Sequence, residues 1–151
     1  MKATDTFTRD ANTTAYTAGD VVGDLMTFNL GVGNQDVLIT STQLQYDVAS
    51  IPASMTTFRL HLFNATPAVI ADNAAFDIAS GDRAKYLGYL DLGTILDFGA
   101  TLAVETNNHQ KHIRLPQTTG TISAYMTTAG AYTPAGNSET GTVTIHAVPA
   151  V

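Results

Sequence analysis

The chain has 151 residues, with 7 Lys plus Arg against 13 Asp plus Glu, and no cysteine. The missing thiols exclude disulfide scaffolds, thiolate nucleophiles and Cys-ligated zinc or iron–sulfur sites, and the formal net charge of -6 argues against a nucleic-acid surface, which shows as a basic excess or stripe. Only 13% of the residues are charged, about half the usual share, while 24 are Thr and 21 are Ala. This is the composition of a sheet-rich domain large enough to bury its own core.

In chain order, residues 1–16 show no strong periodicity. They read as an N-terminal arm that orders on binding, followed by a single β-sandwich domain over 17–151. The run after Met1 and Lys2 lacks the apolar stretch of a secretory signal, and no segment is apolar for long enough to span a bilayer. Synthesis in the host cytoplasm and no membrane partner are the corresponding expectations.

From Leu25 onward the alternating template fits better than the helical one. Met26, Phe28 and Leu30 share one face, and Phe58, Leu60 and Leu62 share another, with Arg59 and His61 opposite. Ile122, Ala124 and Met126, and later Val143 and Ile145, alternate with Thr, Ser, Tyr and His, so the Thr side chains are expected to face outward. Further strands are predicted at 36–48, 85–92, 101–106 and 111–115. The first of these changes phase, from Val37 and Ile39 to Leu44, Tyr46 and Val48, which predicts a bulge or bend near Ser41. Residues 31–35 and 107–110 read as hairpin loops. The segment 68–80 breaks the pattern, and Asp72 or Asn73 as N-cap predicts one or two helical turns there. The fold class is therefore all-β: an antiparallel sandwich, jelly-roll-like or immunoglobulin-like, with one short helical excursion.

Reactive constellations are few. His109 and His112 flank the 107–110 loop with only Glu105 nearby, too few ligands for a metal site. His61 reads as a surface or interface histidine. Eleven Asp and two Glu are present; Asp20 with Asp24, and Asp91 with Asp97, bracket short apolar runs and fit turns better than a glycosidase dyad or a calcium loop. There is no nucleophile elbow, phosphate loop or dinucleotide fingerprint. Arg83 and Lys85, in the most polar loop, suit an acidic partner patch. No enzyme activity, cofactor or metal is expected. A sugar- or receptor-binding module, as on a tail fibre or similar adhesin, is the alternative, with Tyr125 and Tyr132 as its candidate aromatic platform.

Two groups of segments carry a resemblance. Asp10–Gly23, and His61–Pro67 together with Asp72–Phe76 and Tyr86–Gly88, resemble strings in virion structural proteins of tailed bacteriophages. The resemblance implies a capsid decoration (cement) protein on the outer surface of the virion, a trimer or dimer with itself, partnered by the major capsid protein of a phage shell. On that reading Phe7, Arg9 and Tyr16 anchor the arm on the shell, with His61, Arg83 and Lys85 as further contact residues.

Overall fold

Alternation of apolar and polar side chains builds ten strands within residues 1–150, the part described by the computed structural model. They are β1 (Lys2–Thr8), β2 (Met26–Asn29), β3 (Asp36–Tyr46), β4 (Thr57–Phe63), β5 (Tyr86–Thr94), β6 (Leu96–Asp97), β7 (Leu102–Thr106), β8 (Lys111–Arg114), β9 (Thr121–Thr128) and β10 (Thr140–Pro149). Sheet I runs in the order β1-β10-β3-β7-β6, with β8 also paired to β3, and sheet II runs β2-β9-β4-β5. Phe28, Leu44, Phe58, Leu60, Leu62, Ile122, Met126, Val143 and Ile145 fill the space between them and are fully buried.

Both β7 and β8 pair antiparallel with β3, β7 along Thr42–Tyr46 and β8 along Asp36–Ile39, so together they make one interrupted strand. With that strand counted once and the two-residue β6 set aside, eight strands remain. The first pairs with the last, the second with the seventh, the third with the sixth and the fourth with the fifth. That nesting is a long antiparallel hairpin rolled into two sheets, a jelly roll, and it sets the immunoglobulin-like option aside.

The phase change predicted near Ser41 is a bulge. Ser41 pairs with His146 and Ile39 with Ala147, leaving Thr40 unpaired against β10. The β7–β8 interruption falls at the same point, where the His109 amide donates to the Thr40 carbonyl and the His109 ring bonds the Thr42 hydroxyl at 2.8 Å. Residues 107–110 are thus not a hairpin loop but a loop thrown out of one continuing strand. Residues 31–35 are not a hairpin either, since they carry the chain from sheet II to sheet I.

The expected arm is corrected by the structure. Residues 2–8 are the edge strand of sheet I, paired along their length with β10, and Phe7 is fully buried against Gly141 and Gly23, where a side chain on either glycine would collide with its ring. The expected helix at 68–80 is also absent. Asp72 does not cap a helix, because its carboxylate accepts from the Tyr16 hydroxyl and from the amides of Gly23 and Asp10. Asn73 takes a positive φ of 62°, and the segment bridges to Asp20 and Val21. The only helical turn among the described residues is a 3-10 helix at Ser80–Lys85.

Outward-facing Thr holds for part of the surface only. Thr127 is buried because the loops before β2 and after β4 fold over the outer face of β9, and Thr128, paired with Phe58 and in phase with Met126, is buried on the inner face. There Val21, Phe63 and Tyr125 form a second small core with Leu25, Ile70, Phe76 and Tyr86.

Candidate interaction surfaces

Of the three expected shell anchors, none is on the surface. Phe7 is 0%, Arg9 2% and Tyr16 2% exposed. Arg9 instead organises a buried polar network. Its Nε donates to the Tyr16 hydroxyl at 2.6 Å, that hydroxyl donates to Asp72 at 2.6 Å, and Nη1 bonds the Gly136 carbonyl and Glu139. Burial opposes the Arg9 charge, but the Tyr16 bond and the Glu139 carboxylate outweigh it and raise the pKa further. Burial likewise raises the Tyr16, Tyr46 and Tyr132 phenols, so they stay neutral hydrogen-bonding groups. These residues lock the loops at one end of the sandwich. The Tyr125 and Tyr132 platform is corrected on the same ground, since both rings are buried, Tyr132 against Tyr16.

Lys85 ties down the excursion after β4: its ammonium bonds Asp82 at 2.7 Å and the Thr66 carbonyl at 3.0 Å, while Asp82 also accepts the Ala68 amide. Both bonds lower the Asp82 pKa, the one from Lys85 more. Arg83 is exposed. Asp20 and Asp24 accept the amides of Thr17 and Thr8, which are turn and edge-capping roles. No group of three or more potential metal-binding side chains occurs among the described residues, and no helix there is long and apolar enough to cross a membrane.

Two surfaces remain, on opposite sides of the sandwich. The outer face of sheet I is a regular grid. Thr6, Thr142, Gln45 and Ala103 lie in one row, and Thr4, Thr144, Gln43 and Glu105 in the next, with Thr4 and Thr144 hydroxyls bonded at 2.8 Å. Glu105 is the one charge in these two rows. At the free edge Leu96 on β6 and the following Phe98, 68% exposed, extend this face with apolar surface.

The outer face of sheet II is different in kind. Where the loops leave it uncovered it carries Arg59, His61, Tyr89 and Asp91, paired across β4 and β5. The Arg59 guanidinium lies 4.9 Å from the Tyr89 ring centroid and donates to Asp91 at 2.9 Å. His61 stacks on Phe76 at 3.9 Å and uses both ring nitrogens, towards the Tyr86 hydroxyl and Thr127. Burial, reinforced by the Arg59 charge, pulls its pKa down to about 4, so the ring is neutral at pH 7. Concavities of about 470 Å³ beside His61 and about 630 Å³ beside Tyr89 flank the cluster. Leu96, Phe98, Tyr89 and Lys111 were not singled out from the sequence. The edge position that makes each of them available depends on strand order.

No family model and no curated protein matches the chain. Among the solved structures that resemble it are chains of virus particles. A chain of the heated full particle of Israeli acute paralysis virus shares 13% identity over all of this chain and 74% of its own, with a TM-score of 0.29. A chain of Mud Crab Dicistrovirus shares 12% over 97% and 68%, with a TM-score of 0.38. A chain of Desmodium yellow mottle tymovirus shares 12% over 100% and 88%, with a TM-score of 0.32. At such scores the jelly-roll assignment rests on strand connectivity.

Proposed function

We propose that the protein is a non-enzymatic structural component of a virion, a decoration (cement) protein that stabilises a phage capsid from outside. The observation that carries the reading is the centre of the outer face of sheet I, where two rows of four residues hold a single charged side chain, Glu105, in a chain of net charge -6. Ionic partners have little to hold there, whereas a regular surface of Thr methyls, hydroxyls and Gln amides suits a close, partly polar protein contact. The phage-like strings at Asp10–Gly23, His61–Pro67, Asp72–Phe76 and Tyr86–Gly88 supply the partner, the major capsid protein.

Magnitude argues for an oligomer. Four strands about 4.8 Å apart and some seven residues long make a face of roughly 400 Å², about half of what one partner contributes to a standard interface. One copy alone would bind weakly, and two or three copies joined at the Leu96 and Phe98 edge would dissociate slowly through effective concentration. The test has two arms. Quantifying the protein in purified virions should give a copy number comparable to the shell protein. Sedimentation should give a dimer or trimer, and Leu96→Asp with Phe98→Ser should yield monomers that bind expanded shells at least tenfold less tightly. A wild-type monomer that ignores shells would refute the reading.

A further inference from the structure

We infer that the cluster of Arg59, Tyr89, Asp91 and Lys111 on the sheet II side is a binding site for a carboxylate-bearing oligosaccharide. The inference stands apart from shell docking, which uses the opposite face.

Tyr89 is 46% exposed on β5, at the rim of the larger cavity, and offers the apolar platform that a sugar ring covers. Arg59, against that ring, spends only its Nε on Asp91; its two terminal nitrogens have no hydrogen bond among the described residues. They form an open fork for a carboxylate. Lys111 comes from the other sheet. Position 88 is glycine, and a side chain there would collide with the Lys111 ammonium, so the missing Cβ makes room for it to reach the β5 edge. That ammonium has neither an ion pair nor a hydrogen bond among the described residues.

Tyr89, Asp91 and Lys111 line the same concavity of about 630 Å³, and Arg59 adjoins it through the Tyr89 ring and the Asp91 carboxylate. Arg59 holds Asp91, and Asp91 is the one carboxylate among the residues that line the cavity with Lys111, in an otherwise acidic protein. A bare polyanion would be repelled by Asp91. A sugar uses it, because a carboxylate accepts from ring hydroxyls, and Asn108 at the cavity wall offers further amide partners. The combination of platform, hydroxyl acceptor, the unpaired Lys111 ammonium and the free terminal nitrogens of Arg59 selects an acidic saccharide over a neutral one.

The test is an NMR titration of the full chain with trigalacturonic acid and with sialyllactose, with maltotriose as the neutral control and inorganic phosphate as the free anion. At least one acidic probe should give saturable shifts centred on Tyr89 and Lys111, weakened at higher salt. Maltotriose should bind at least tenfold more weakly, and Tyr89→Ala and Lys111→Met should each reduce affinity at least tenfold with unchanged thermal midpoints. Absence of saturable shifts with both acidic probes, undiminished binding by Tyr89→Ala, or the same shifts at the same affinity with phosphate would overturn the proposal.

Discussion

Arg9 shows how far a charged side chain can be built into a core when each of its three nitrogens finds an acceptor. Its partners are Tyr16, Gly136, Glu139 and Asn12. Arg9→Ala strands Glu139 and should cost about 3–5 kcal/mol, read as a lower urea midpoint. Leu60 is fully buried between the sheets, and Leu60→Ala should cost about 2–5 kcal/mol by the same measurement. His61 gives a pH dependence of fixed sign. Its folded pKa of about 4 lies below the ordinary 6.5, so the unfolded chain takes up a proton that the folded chain refuses. This contribution is therefore unpenalised above about pH 6.5, and stability is lost as pH falls towards 4, on the order of 2 kcal/mol after allowance for solvent screening. Burial lowers the His109 pKa in the same direction. Urea midpoints measured from pH 7 to pH 4 should fall for the wild type and fall less for His61→Gln, which keeps a polar group facing Tyr86 and Thr127.

At the level of the strand, β1 decides between two readings of the N-terminus. An arm would be dispensable for folding. An edge strand holding Phe7 is not, and deletion of residues 1–8 should yield a chain that is unfolded or aggregates through the bared edge of β10. Circular dichroism with a cooperative melt near the wild-type midpoint would restore the arm. Legibility in the sequence followed the same divide. Strands with one apolar face, such as Phe58–Phe63, and the bulge at Thr40 show in alternation alone, because side-chain direction has period two. In β1 the inward residues are Ala3, Asp5 and Phe7, and Asp5 reaches across to cap the Thr27 amide, so the apolar pattern fails although the strand is real. Asp72 misled as a helix cap because its three partners come from residues 10, 16 and 23, which no local pattern announces. The candidate surfaces were the least legible, since Tyr89 and Lys111 meet only through the pairing of two sheets.

Taken whole, the molecule has two unlike sides, and substitution can separate them. Thr142→Lys with Gln43→Lys should abolish shell binding in a pelleting assay while leaving the thermal midpoint within a few degrees, because these side chains contribute little to the core. Arg59→Gln with Lys111→Met should leave shell binding intact. Equal loss from both pairs would mean that the docking face has been misassigned.

The pairing of β1 with β10 sets Lys2 beside His146, and the Met1 amine donates to the Ala147 carbonyl, so the two ends of the described chain meet at one corner. A force applied between those ends would load the β1–β10 ladder one rung at a time, as a zipper is drawn, while the opposite faces of the sandwich carry no such seam. The fold is thus mechanically soft where its ends are pulled and stiff where its faces are pressed.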